Sequence, residues 1–375
     1  MRIKLSILFV LVACFCVAFT FRLTKNNTAP ATLKAYKDQQ ITVFFNRETG
    51  WIASDGGYSF PIGDGKVMWT YGDSFTNDYD PATQTVPCLF NVRNCAMVQP
   101  LNDWDWRHTP TLLSTSKSTF LRSNPADNHF NWPGAGFQLK DTAYVICFNL
   151  KNVTTGMGFA SAGPDVLAKI KLPEMTVATY HSLQDFGGIN FTLGFVKDDT
   201  DGFVYAFGQK TPSFGVNNIY VARFPESAPN ANWQFWNGNG WGGSYKAAAV
   251  IGSAPSNSSN ICKIKNKYLL FSSEFSLGCD GGKNIYVQVS DKLSGPFSKP
   301  KTIYTIDDTL KGHYPFFYLP IAHPEYINDK NELLLTYSIN GYGNCVNTCI
   351  NGRFNPNYYR PRGIRIPLKL IDPAL

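Results

Sequence analysis

Two aspartates, Asp55 and Asp73, stand where a hairpin would bring them together. Residues 51–60 lead to a Pro61-Ile62-Gly63-Asp64-Gly65 turn, and residues 66–73 return from it. A turn centred on Asp64 sets Asp55 against Asp73, Gly56 against Gly72, Tyr58 against Thr70 and Phe60 against Met68. Opposed Cβ atoms lie about 4.5–5.5 Å apart, and like charges so placed destabilise a sheet. A carboxylate pair held there therefore needs a reason. Glycoside hydrolysis supplies one, using one carboxyl as general acid and the other as nucleophile or base. Opposition would also separate their pKa values into those two roles. Cross-strand spacing favours the close, retaining geometry unless a bulge at Gly56-Gly57 intervenes. The flanking glycines would leave room for a ligand. The plain alternative makes Asp55-Gly56 a turn and Asp73-Ser74 a loop cap.

Other polar residues join by position. Glu274 holds in the fourth repeat the place that Asp73 holds in the first, and Gln209 and Asn340 hold comparable places. Glu274 reads as a third acid, a hydroxyl binder or a solvated loop residue. His323, in Ala322-His323-Pro324-Glu325, reads as a substrate binder, a tuner of a carboxylate or a structural histidine bonded to backbone. Trp132 could stack on a sugar face or fill a gap between sheets. The chain has no Gly-x-Ser-x-Gly elbow, P-loop, HExxH or CxxC pattern. No cofactor and no metal site are expected.

The elements that must position these residues are strands. Aromatics make up 15% of the chain and charged residues only 16%, with 31 Gly and 23 Pro, which leaves little for long amphipathic helices. Five strongly apolar runs, at 66–73, 141–148, 202–209, 267–274 and 332–340, begin roughly 60–75 residues apart. Each follows a strand and a tight polar turn. Runs at 218–224 and 284–290 read as further strands of their units, and 290–297 as an outer-edge turn. Five such units predict an all-β fold, a five-bladed β-propeller over 41–375, with a β-sandwich as the rival. The inner hairpins would then place Asp55 and Asp73 at one channel mouth. The net charge of +7 is dispersed, which argues against a nucleic-acid partner. The expected partner is a poly- or oligosaccharide, bound by a monomer.

Residues 1–21 carry Arg2 and Lys4 before an uncharged apolar stretch, the form of a signal peptide or a single signal anchor. Residues 22–40 read as a polar linker. Sequons at Asn26, Asn152, Asn190 and Asn257 fit a secreted or membrane-anchored glycoprotein at the cell surface. In that oxidising setting the pairings expected are Cys88 with Cys95, Cys262 with Cys279 and Cys345 with Cys349, leaving Cys147 a buried free thiol.

Several stretches taken together carry a resemblance. They are Gly50-Trp51, Asp55-Gly56-Gly57-Tyr58-Ser59, Gly63-Asp64-Gly65, Trp69-Thr70-Tyr71-Gly72-Asp73-Ser74-Phe75, Trp132-Pro133-Gly134, Asp201-Gly202-Phe203-Val204-Tyr205, Ser290-Asp291-Lys292-Leu293-Ser294-Gly295-Pro296-Phe297, Ala322-His323-Pro324-Glu325 and Arg360-Pro361-Arg362. The chain resembles a family of five-bladed propellers formerly described only as a domain of unknown function, of the DUF4185 type. Some bacterial members of it are endo-D-arabinofuranosidases, and it is distantly similar to the arabinanase and levanase propellers. The resemblance implies Asp55 and Asp73 as catalytic residues. It also implies an acidic residue within Trp-Pro-Gly-x-Gly, where this chain has Ala135. The reading from this sequence is a glycoside hydrolase-like protein acting on a polysaccharide, with a non-catalytic carbohydrate-binding or recognition propeller as the alternative.

Overall fold

The strand-and-turn pattern builds five sheets of four or more strands in a computed structural model that describes residues 33–375 apart from 115–117, 122–127, 155–157, 199, 214, 257 and 343–344. Each sheet opens with an antiparallel hairpin whose second strand is one of the five apolar runs. The pairs are Ala53–Pro61 with Lys66–Phe75, His129–Leu139 with Thr142–Asn152, Asn190–Asp198 with Phe203–Ser213, Ser259–Ile264 with Lys267–Ser273, and Phe317–His323 with Glu332–Ile339. Glu332–Ile339 is buried at every position, and Lys267–Ser273 at all but the first. A strand covered on both faces needs no polar alternation, so these read as continuous apolar runs. Third strands at Val216–Pro225 and Asn284–Ser290 fall where the sequence puts them.

The first strands of the five sheets pack against one another in chain order, and Phe317–His323 packs back against Ala53–Pro61. Apolar clusters fill the gaps between sheets. One joins Phe60, Met68 and Ala96 of the first sheet to Val145, Cys147 and Val166 of the second. The fifth sheet takes its outer strand from the start of the described chain. Tyr36–Lys37 pairs with Arg362–Pro367, so ordered structure begins inside the segment expected to be a linker. Asp38 then caps the helix Gln39–Phe45 through its Oδ1, while its Oδ2 accepts from Arg365 Nε at 2.6 Å. Buried Arg360 donates to the carbonyls of Ile52 and Arg47, at 2.8 and 2.7 Å. That guanidinium fixes the chain just ahead of Asp55.

The disulfides differ from the sequence-based pairing. Cys88 bonds Cys349 and Cys279 bonds Cys345, with Cα separations of 5.6 and 6.4 Å, inside the usual disulfide range. Cys95 and Cys262 are buried free thiols on interior strands, and Cys147 is free and buried as expected. Proximity in sequence misled because strands carry Cys95 and Cys262 into cores, away from the loops. The short strands Val86–Pro87, Arg353–Phe354 and Cys349–Ile350 form a small sheet that brings Cys88 to Cys349. The segment 1–21, Asn26 and Asn257 lie outside the described residues. Among the described residues, no helix is long and apolar enough to cross a membrane.

Candidate active site

The first hairpin keeps its expected register on both sides of the aspartates but not at them. Tyr58 faces Thr70, Phe60 faces Met68 and Ser54 faces Ser74. Between these pairs the ladder slips twice, and Gly56 meets Tyr71 rather than Gly72. Gly56 and Gly57 have φ of 81° and 107°, in the left-handed region that costs a side chain dearly. Asp55 and Asp73 are therefore not a registered pair, and the cross-strand argument for retaining geometry falls with the bulge. The room at Gly72 is also already filled. A Cβ added there would lie 2.5 Å from Asp55 Oδ1.

The two carboxyls remain coupled. Burial raises Asp73 from 3.8 to about 7, and the charge of Asp55 adds to the rise; Trp132 and Arg93 pull against it. Burial raises Asp55 to about 6, opposed by hydrogen bonds from Tyr318 and Tyr359. Tyr318 Oη donates to Asp55 Oδ2 at 2.9 Å. Both phenols are pushed well above their ordinary value by burial, so they stay donors. The bulge is held by the Gly56 N–H, which donates to Ser338 Oγ in the fifth sheet at 3.0 Å.

Asp73 is gripped by Trp132 of the second sheet and by Arg93, which just precedes the first sheet's strand Cys95–Pro100. Trp132 Nε1 donates to Asp73 Oδ1 at 3.0 Å, and Arg93 Nη1 stands 3.2 Å from Oδ2. The Trp132 ring packs on Phe159, with centroids 4.4 Å apart. Trp132 stands beside Asp73, with its indole N–H committed to that carboxylate. Arg93 lies over Phe130 and Phe90, 4.3 and 5.0 Å from the ring centroids. Its Nη2 donates to Asn152 Oδ1.

The remaining candidates go elsewhere. Glu274 Oε2 accepts from the backbone N–H groups of Lys283 and Asn284 at 2.9 and 3.0 Å, closing its own loop. Gln209 pairs across the ladder with Asn190, and its Oε1 is buried with no partner among the described residues. His323 is fully buried near the turn end of the first hairpin. Its Nδ1 lies 2.5 Å from Ser59 Oγ and its Nε2 2.8 Å from Thr336 Oγ1. Burial lowers its pKa to about 3, so it is neutral. Glu325 also bonds Ser59, and burial raises it to about 7. Ser59 and Glu325 line a cavity of about 450 Å³ with residues of all five first strands. Ala135 lies against Tyr58 and Ile321. Sequence reasoning missed Tyr318, Tyr359 and Arg93. The aromatic run at 314–318 and the Arg360-Pro361-Arg362 stretch beside Tyr359 were the available signals.

The family model of a domain of unknown function, DUF5005, matches residues 38–367. No curated protein matches the chain. Among solved structures, a Bacteroides ovatus ATCC 8483 protein assigned as a hydrolase is 18% identical, with a TM-score of 0.70 over 88% of this chain and 90% of that one. That likeness shows a shared fold. The Bacteroides ovatus xyloglucan-locus protein GH43B is 14% identical, at TM-score 0.48 over 88% of this chain and 53% of its own. A xylan β-1,4-xylosidase from Bacillus halodurans C-125 is 13% identical, at TM-score 0.47 over 84% and 52%.

Proposed function

We propose, for a chain that belongs to the DUF5005 family, a five-bladed β-propeller that hydrolyses glycosidic bonds in a polysaccharide, of furanoside type by the resemblance noted in its sequence. Support for the five blades comes from the cyclic packing of the first strands. The observation that carries the activity is the coupled pair of carboxyls, half-buried Asp55 and buried Asp73, both raised toward neutral pH among hydroxyl and indole donors. Asp55 loses its proton first and serves as base or nucleophile. Asp73 keeps its proton to a higher pH and protonates the leaving oxygen. Tyr318 and Tyr359 hold Asp55 as a carboxylate, and Arg93 and Trp132 orient Asp73. Activity would rise as pH passes about 6 and fall as it passes about 7, values that belong to the pair. The chain would work outside the cell, secreted or on a membrane anchor; its two disulfides suit that setting.

A binding-only propeller is the second reading, and Ala135 favours it, because an apolar contact with Tyr58 and Ile321 stands where the resemblance implies an acid. Screening the purified chain, Asp55→Asn and Asp73→Asn against a polysaccharide panel separates the two. Cleavage by the parent that both variants lose supports the hydrolase. Binding retained by all three proteins, with no cleavage by any, supports the binding propeller.

A further inference from the structure

We propose that Asn152 is a positioning residue for Asp73, acting through Arg93, and that a glycan on its sequon would disturb that duty. The inference rests on the reading of Asp73 as a functional carboxyl and adds the device that holds it.

Arg93 spends one nitrogen on Asp73, with Nη1 at 3.2 and 3.4 Å from the two carboxylate oxygens. Its other terminal nitrogen, Nη2, bonds Asn152 Oδ1. Phe130 and Phe90 cover the guanidinium and set its place, yet rings attract a cation without fixing its rotation. Among the described residues, Asn152 Oδ1 is the acceptor that aims the fork. Asn152 is itself braced by Asn128. Its Nδ2 donates to Asn128 Oδ1 at 2.8 Å, and its backbone N–H to Asn128 O at 3.2 Å. Asn128 has φ of 62° there. The strand Thr142–Asn152 ends on this residue, so a rigid element delivers the amide.

Asn152-Val153-Thr154 is also a sequon, and Nδ2 is the atom to which an N-glycan is attached. A glycan would replace one Nδ2 hydrogen and place a sugar where Asn128 now sits. A glycan would therefore strike at the Asn128 brace, which uses Nδ2, and through it at the Oδ1 contact with Arg93. The charged and titratable groups acting on Asp73 are Asp55 and Arg93, with Tyr318 and Tyr359 behind Asp55. Of these only Arg93 lowers the Asp73 pKa, so loosening Arg93 has a defined direction.

The test uses the full chain expressed in a glycosylating host, with carbon-13 NMR titration of aspartate carboxyls and peptide mapping of residue 152. Thr154→Ala removes the sequon and leaves the clamp, and is expected to titrate like parent protein that carries no glycan there. Asn152→Ala frees Arg93 and is expected to raise the Asp73 pKa by about 1 unit, the low end of the effect of a neighbouring opposite charge. Asn152→Ser, which also falls short of Arg93, gives the same reading should the alanine variant fold poorly. Glycan on Asn152 in protein whose Asp73 titrates like Thr154→Ala would overturn the proposal, as would unchanged titration in the Asn152 variants. Because the readout is a carboxyl pKa, a parent that cleaves no polysaccharide would sink the hydrolase reading while leaving the clamp standing.

Discussion

One methyl group at residue 72 tests where the Asp55 carboxylate sits. Gly72 lies outside the positive-φ region, so its backbone accepts alanine without strain. The added Cβ would come within 2.5 Å of Asp55 Oδ1 and 3.5 Å of its Cγ. Ordinary contact between heavy atoms needs about 3.5 Å, so the carboxylate must withdraw by roughly 1 Å. Its terminal atoms can move, but the 2.9 Å bond from Tyr318 Oη stretches or breaks as they do. Misplacing a reacting group by about 1 Å costs on the order of 100-fold, or about 2.7 kcal/mol of barrier. The stability cost is that of one hydrogen bond to a charged group, about 1.5–3 kcal/mol at most. Gly72→Ala is therefore expected to fold cooperatively and to lose about 100-fold in kcat/KM at pH 6.5. The assay is initial-rate hydrolysis of whichever polysaccharide the parent cleaves, with thermal unfolding measured beside it. Parental kcat/KM in a folded Gly72→Ala protein would refute this placement of Asp55.

Three further outcomes follow from the same geometry. Tyr318→Phe removes a donor that favours ionised Asp55, so the acid limb of the pH–rate profile is expected to move up by about 1 unit; an unmoved limb would deny the contact a role. Asp165, raised by burial from 3.8 to about 7, binds more protons folded than unfolded between about pH 4 and 7. Stability should therefore fall as pH rises through that window, and Asp165→Asn should gain roughly 2–4 kcal/mol over the parent at pH 8, read by urea unfolding at several pH values. Non-reducing peptide maps should show Cys88 joined to Cys349 and Cys279 to Cys345, with Cys95, Cys147 and Cys262 alkylated only after denaturation.

What the sequence made legible was what local chemistry decides. The five apolar runs announce themselves because neighbouring sheets cover both their faces. The Pro61–Gly65 turn fixes the register of Tyr58 and Phe60, since a short turn leaves few alternatives. The same sequence held a warning in Gly56-Gly57, two residues free to adopt the left-handed conformations that shift Asp55 out of register. Long-range encounters were out of reach. Tyr318 and Tyr359 meet Asp55 only because the fifth sheet packs against the first, and Arg93 meets Asn152 across two sheets. The disulfides join loops 261 and 66 residues apart, and nothing in the spacing of the cysteines encodes that. Glu274 and His323 were chosen by their place in the repeat. The first closes a loop and the second packs with Trp69 and Ser59, away from the aspartates.

The most direct measurement is the pH dependence of polysaccharide cleavage by the parent beside Asp55→Asn and Asp73→Asn, each first shown to be folded. The paired-carboxylate account expects a narrow bell for the parent between about pH 6 and about 7, and loss of cleavage in both variants. Parental rates and an unchanged profile in either folded variant would contradict it.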